Sequence, residues 1–332
     1  MRYRTLGRTG IRVSAICQGG WSLTTGDDLT WGATARQDAL GAYRTAFEAG
    51  VNFFDTARTY GGGESEELLA EALGSRRDEI VIATKLNDLA GAAVAAQCEQ
   101  SLLRLRTDRI DLYQIHWPQA EPPLAETMAA LETLREAGKV RAIGVSNFGV
   151  SYLREALAAG RVESNQLAYS LLWRPVEHAV APLCVEQDVS IVCYSPLAQG
   201  LLTGKFISAD AVPDGRARTR LFAADRPHAA HGEAGMEAEA FAALDTLRDV
   251  ADGLGQPMGR VALAWLLAQP GVTSAIAGGR SAAQAAENAA AGDLDLPDDA
   301  RAKLSAATES LKQKAGTNSD MWRHATRLER PA

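Results

Sequence analysis

Short runs of β-branched and aromatic residues alternate along this chain with Ala- and Leu-rich stretches whose apolar positions recur every three or four residues. The first pattern marks buried strands and the second amphipathic helices. Strands are expected at 14–17, 51–55, 80–84, 110–116, 142–146, 162–166, 190–195 and 272–277. Helical patterns fall between them at 34–49, 64–73, 93–105, 122–137, 149–159 and 176–187, with another at 282–291 after the last strand. Strands alternating with helices in this number predict one α/β domain, 1–332, built as a closed parallel barrel. A doubly wound open sheet is the alternative. It would want an early GxGxxG fingerprint, which the Gly61-Gly62-Gly63-Glu64 turn lacks.

Three segments stand outside the rhythm. The first residues predict a β-hairpin turning at Thr9-Gly10 and plugging the bottom of the barrel. From about 201 to 235 runs an irregular insertion rich in Arg, Asp, Pro and His, which follows the seventh strand and so should lie over the C-terminal face. From 316 to 332 the chain is a polar tail carrying Met321 and Trp322.

The chemistry gathers at strand ends. In FFDTARTYGGGESEELL an apolar strand ends on Asp55, a short loop presents Tyr60, and a glycine turn opens a helix. The next strand, IVIATKL, ends near Lys85, and the one after, IDLYQIHWP, ends on His116. These positions are separated by 30 and 31 residues, one strand–helix unit each. They therefore share one rim, the face where barrel active sites lie. A phenol with pKa near ~10 is a poor acid in water and becomes useful beside a cation. Taken singly, such a Tyr is more often a packing residue and such an Asp a turn cap. The register of all four favours a site.

Composition narrows the partners. The chain has 332 residues, 46% hydrophobic and 23% charged, with a net charge of −7, which argues against nucleic acid. The amino terminus has no apolar signal core, and no run approaches the ~20 residues of a membrane span, so a cytoplasmic protein without membrane partners is expected. Four cysteines without a CxxC pair suggest reduced thiols, and five histidines without HExxH spacing make a metal site improbable.

Over essentially its whole length the chain resembles the aldo-keto reductases. The resemblance rests on LGRTGIRVSAICQGGW, FFDTARTYGGGESEELL, ATK at 83–85, LRTDRIDLYQIHWP, GKVRAIGVSNF, NQLAYSLL, CYSPLAQGLLTGKF and IAGGRSAAQAAEN in that order. It implies an (α/β)8 TIM barrel and NAD(P)H-dependent reduction of an aldehyde or ketone to an alcohol. It further implies that Asp55, Tyr60, Lys85 and His116 are the catalytic tetrad, with Tyr60 as general acid. Ser146, Asn147 and Gln166 would hold the nicotinamide carboxamide, and Tyr194 would stack on the ring. Ser195, Leu197 and the segment from Gly200 to Lys205 would follow the pyrophosphate. Gly279, Arg280, Ser281, Gln284, Glu287 and Asn288 would surround the ribose phosphate and adenine, with Ser281 and Gln284 equally readable as a helix capping box.

One branch of the family carries a Lys and a second Arg where this chain has Gly278 and Gln284, so NADP (NADPH) is the expected cofactor and NAD stays open. Gly20-Trp21 stands where relatives commonly have Thr-Trp. Trp21, Trp31, Trp117 and Trp173 follow strand ends and suggest an aromatic-walled pocket for a flat or sugar-like carbonyl substrate, whereas Trp265 reads as core. Arg216, Arg218 and Arg220 could approach the cofactor phosphates or lie in solvated loop. The same site run backward would be an alcohol or sugar dehydrogenase. A nicotinamide-binding regulatory subunit is the further alternative, and a homo-oligomer is compatible with either.

Overall fold

A computed structural model describes residues 1–330. Strands β3 (Ile16–Gly19), β4 (Phe53–Asp55), β5 (Val81–Leu86), β6 (Ile110–Ile115), β7 (Val140–Ser146), β8 (Ser164–Ala168), β9 (Ser190–Tyr194) and β10 (Val272–Gly278) close a parallel barrel. β10 completes the ring by pairing with both β9 and β3. The expected TIM barrel is therefore present, and the open sheet is excluded.

Strand periodicity of two explains how this barrel is filled. Cys17, Phe53, Val81, Ala83, Leu112, Ala142, Val192 and Ile276 point inward and form one apolar cluster. Two residues further on, the same inward positions carry Gly19, Asp55, Lys85, Gln114, Gly144, Tyr194 and Gly278. The lower barrel is thus a packed apolar plug, and its top is a polar layer open to ligand. Outward residues such as Phe54, Ile82, Tyr113, Ile143 and Leu167 pack in the outer core. The ring of helices there comprises α1 (Arg36–Glu48), α2 (Glu64–Leu73), α3 (Gly91–Leu105), α4 (Leu124–Glu136), α5 (Val150–Ala159), α6 (Val180–Glu186), α7 (Glu237–Leu254), α8 (Met258–Leu267) and α9 (Ala282–Ala290). Two further helices, α10 (Asp298–Ala307) and α11 (Glu309–Ala315), precede the tail.

The amino-terminal hairpin joins β1 (Tyr3–Thr5) to β2 (Arg12–Ser14), and its Leu6, Ile11 and Val13 belong to the apolar cluster inside the barrel. Ser14 pairs with Tyr3 in this hairpin instead of opening the first barrel strand, which begins at Ile16. The helix expected at 176–187 is divided at Ala179 into a short turn, Pro175–His178, and α6.

Two long segments settle over the open end of the barrel. The insertion after β9 contains only short turns, Ala198–Thr203 and Ala209–Ala211, before α7. The tail is no loose appendage. Met321 and Leu328 are both buried, and Gly149 N donates to Leu328 O at 2.7 Å. Glu329 accepts from the N–H groups of Val150 and Ser151, both at 2.7 Å. That carboxylate caps α5, whose own cap position, Gly149, has no side chain to offer.

Candidate active site

The polar top layer is a connected network. Lys85, fully buried, places its Nζ 2.6 Å from Asp55 Oδ1, 2.9 Å from Thr56 O and 3.4 Å from Tyr60 Oη. The other Asp55 oxygen accepts from Gln166 Nε2 at 2.8 Å and Gln114 Nε2 at 3.3 Å. The pair is thereby held as an ion pair with few remaining positions. Gln114 was not anticipated. Its signal was a polar residue at an inward position of an otherwise apolar strand, and the bare Gly144 beside it leaves room for its stem.

Tyr60 is held by the turn that follows. Gly61, Gly62 and Gly63 have φ of 57°, 65° and 108°, values that L side chains rarely tolerate, and they swing the chain into α2. Gly20 is small for a different reason: a Cβ there would clash with the Ser65 hydroxyl and lie 2.6 Å from the Tyr43 hydroxyl, so a Thr has no room in this packing.

Charge states follow from this geometry. Burial alone would lower the Lys85 pKa, but Asp55 and Tyr60 hold it above its ordinary value. Burial raises the Tyr60 pKa, Lys85 pulls it back, Asp55 adds to the rise, and the net shift is upward. The expected acidifying effect of Lys85 is thus present but smaller than burial, and Tyr60 carries its proton at neutral pH.

The His116 ring meets Tyr60 edge-on at 5.9 Å between centroids. Asn87 Nδ2 lies 3.3 Å from its Nδ1, so Nδ1 accepts and Nε2 carries the ring proton. Burial, helped by Lys85, pushes the His116 pKa down from 6.5 to about 3. The ring is neutral at physiological pH. In the unfolded chain it binds a proton that the folded chain refuses, so its contribution to stability is complete above pH 6.5 and is lost as pH falls toward about 3. An NMR titration of the His116 ring is expected to show no transition near 6.5.

Beside this network stand the residues expected at the nicotinamide. Asn147 takes a left-handed φ of 64°, its Nδ2 donates to His116 O and Ser146 Oγ at 3.1 Å each, and Tyr194 donates to its Oδ1 at 2.9 Å. Ser146 Oγ donates to Gln166 O at 3.1 Å. Gln166 thus reaches two ways, its side chain to Asp55 and its backbone to Ser146.

A cavity of about 860 Å³ runs from Tyr60 and His116 past Tyr194 to Arg280 and Asn288. Ser195, Leu197, Gly200 and Lys205 line its middle, and Arg280, Gln284, Glu287 and Asn288 its far end. Ser195, Ala198, Gln199 and Gly200 all have positive φ, a strained turn of the kind found where backbone meets ligand. Both polar side-chain atoms of Gln199 are buried there without a hydrogen-bond partner. Lys205, Arg216 and Arg280 form a cationic group. Partial burial lowers the Lys205 and Arg216 pKa values, Arg280 lowers both further, and Arg216 adds to the effect on Lys205. These features fit a dinucleotide with its phosphates at the cationic group.

Gly279 and Ser281 do not border the cavity. Ser281 Oγ accepts from Gln284 N at 3.3 Å while Gln284 Oε1 accepts from Arg280 N at 2.9 Å, a reciprocal cap on α9. A Cβ on Gly279 would come within 3.0 Å of Ala285 N, so its bareness serves the close approach of strand end and helix. Glu287 pairs with Arg260 at 3.0 Å, and Asn288 Nδ2 donates to Gly278 O at 3.1 Å.

Three of the four expected tryptophans wall the other end. Trp21 stacks on Tyr60 at 6.3 Å, Trp31 meets Trp21 edge-on at 5.9 Å, and Trp117 stacks on His116 at 6.4 Å. Trp173 does not belong to this wall. It is 1% exposed, its indole N–H donates to Ser319 O, and Arg220 covers its ring, so it anchors the tail from below. Trp322 from the tail borders the cavity instead. A lone tryptophan in a polar tail was the available signal. Of the three loop arginines, Arg216 and Arg218 line the cavity, over Trp31 at 4.9 Å and Trp322 at 4.7 Å. Arg220 is buried, paired with Glu233 at 2.8 Å and donating to the carbonyls of Ala315, Asn318 and Asp320. Among the described residues no cluster of His, Cys, Asp or Glu could hold a metal, and no helix is long and apolar enough to cross a membrane.

A family model described as Aldo/keto reductase family matches residues 15–309. The chain is 33% identical to the aldo-keto reductase YhdN of Bacillus subtilis over 86% of each chain. It is 32% identical to an NADH-specific methylglyoxal reductase of Escherichia coli, over 90% of this chain and 95% of the other. Among solved structures, an aldo/keto reductase of Klebsiella pneumoniae in complex with NADP and acetate matches with a TM-score of 0.73 at 27% identity, over 92% of this chain and 94% of that one.

Proposed function

Because this chain belongs to the aldo/keto reductase family, whose members are NAD(P)H-dependent carbonyl reductases, we propose that it reduces a flat aldehyde or ketone at the cavity floor with Tyr60 as proton donor. The observation that carries this reading is the Tyr60 hydroxyl, 3.4 Å from a buried ammonium and edge-on to a neutral imidazole at the open end of the barrel. A nicotinamide dinucleotide held by these residues would supply the hydride. Everything else comes from the chain. Tyr60 gives its proton to the carbonyl oxygen as negative charge develops there, and Lys85 steadies the phenolate left behind. Neutral His116 offers its Nε2 proton to the same oxygen and fixes the carbonyl's direction. Asp55, Gln114 and Gln166 hold the Lys85 ammonium in place. Ser146, Asn147 and Gln166 would seat the carboxamide, Tyr194 the ring, and Lys205, Arg216 and Arg280 the phosphates.

The same groups run in reverse for alcohol oxidation. Tyr60 must then begin ionised, and its raised pKa makes oxidation favour alkaline pH while reduction proceeds at neutrality. The reading is tested by following nicotinamide absorbance over a panel of aldehydes, ketones and sugars. Loss of absorbance with none of them would count against it.

NADPH is the proposed cofactor, with NADH use open because Arg280 has neither a Lys at Gly278 nor an Arg at Gln284 to assist it. Arg280→Ala should weaken NADPH binding by about 1–3 kcal/mol, the scale of a charge-assisted hydrogen bond, and NADH binding little. Equal losses in titrations with both cofactors would move Arg280 from phosphate recognition to support of the neighbouring loop, since it also donates to Trp31 O.

The aromatic wall predicts a size dependence. Trp117→Ala should lower kcat/KM about 10-fold for an aromatic aldehyde, the scale of one buried apolar contact, and much less for a short aliphatic one. Equal losses for both would mean that Trp117 only supports the tail through the Arg327 guanidinium 4.1 Å above it.

A further inference from the structure

The substrate end of the cavity carries positive charge beyond the group assigned to the cofactor phosphates. Lys205 and Arg216 feel Arg280, whereas Arg218, which shares Thr30 with Arg216, reaches toward Trp322 of the tail. Its guanidinium lies over Trp322 at 4.7 Å, and its N–H groups go to Gly215 O at 2.9 Å and Thr30 Oγ1 at 3.0 Å, with no ion-paired carboxylate among the described residues. The acid that acts on it, Asp28, is engaged by the N–H groups of Thr30 and Trp31. Arg323, one residue beyond Trp322, is exposed where it borders the cavity, and no carboxylate among the described residues forms an ion pair with it. Arg327 differs: buried Asp320 compensates it at 3.0 Å.

The acids bordering the cavity cannot neutralise this charge. They are Asp55 and Glu287, and each already has a partner, in Lys85 and Arg260. A chain with a net charge of −7 has thus placed at the border of this cavity two guanidinia that form no ion pair among the described residues. Trp117 stacks on His116, Trp322 lies under Arg218, and both rings border the cavity, so a ligand that reaches from His116 to Arg218 meets aromatic faces and suits a flat spacer.

Resting on the carbonyl-reductase reading, we infer that the preferred substrate is a carbonyl compound bearing an anionic group, carboxylate or phosphate, across a planar spacer, with Arg218 and Arg323 recognising the anion. A planar guanidinium fork suits either oxyanion. The idea explains why the roof of the pocket is arginine-rich on a protein whose overall charge would otherwise repel such a ligand.

The test compares substrates of one ring and similar size at saturating NADPH: 4-formylbenzoate, 4-formylphenyl phosphate and the uncharged methyl 4-formylbenzoate. Either anion should exceed the ester in kcat/KM by about 10–100-fold, the range of charge-assisted hydrogen bonds, and the larger advantage identifies the preferred oxyanion. Arg218→Gln and Arg323→Gln should each bring the ratio toward one, and added salt should compress it. Because Arg323 is exposed, its variant reports even where loss of Arg218 disturbs the roof. An ester equal to or better than both anions in the unaltered protein, or a ratio untouched by both substitutions, overturns the inference. Calorimetric binding of terephthalate against its dimethyl ester to the NADP-loaded protein needs no turnover. Inactivity toward all three aldehydes would therefore tell against the reductase reading, while this arm still decides anion recognition.

Discussion

Tyr60→Phe is expected to lower kcat for carbonyl reduction by about 10²–10⁴-fold, the usual range for loss of a general acid, with NADPH affinity nearly unchanged. The ring still stacks on Trp21 and still lies beneath the Lys85 ammonium, 5.0 Å from its centroid, so the cavity keeps its shape. What disappears is the one proton that burial keeps on the phenol at neutral pH. Steady-state kinetics with a separate cofactor titration checks both halves. Near-normal turnover would remove Tyr60 from the mechanism, and a parallel loss of cofactor binding would make it a packing residue.

Lys85→Met is expected to be comparably damaging to rate and, unlike the first change, to stability. Asp55 would be left 3% exposed with no cation, and stranding one member of a buried ion pair typically costs about 3–5 kcal/mol. Gln114 and Gln166 would still donate to it, so the lower part of that range is the better expectation. The double variant with Asp55→Asn should recover much of the stability and none of the activity, because it removes the stranded charge without restoring the cation beside Tyr60. Denaturant unfolding of the single and double variants decides this. A double variant no more stable than Lys85→Met would show that the pair is not the unit we describe.

Asp55 and Lys85 were legible in the sequence because each is the last inward residue of an alternating strand. Once Phe53 points into the barrel so must Asp55, and Val81 and Ala83 carry Lys85 in the same way. Register sets Gly19 opposite Asp55, Lys85 opposite Gln114 and Ser146 opposite Gln166. The Trp173 assignment failed because position after a strand end says nothing about which way a loop turns. Ser319, 146 residues away, accepts its indole N–H and draws it inward. Gln114 and Gln166 were similarly half-visible: their inward placement follows from alternation, but their convergence on Asp55 joins residues 59 and 111 apart.

The sequence by itself determined the barrel, the rim and the polar upper layer, because strand alternation and the strand–helix repeat are local properties that neighbouring residues enforce. It determined the glycine turn after Tyr60 for the same reason. Only the tertiary structure decided which aromatic rings wall the pocket, which arginines face it and that the tail closes on it. Those outcomes depend on contacts such as Glu329 with Val150 and Arg280 with Trp31, 179 and 249 residues apart, where no periodicity links the partners and packing alone selects them.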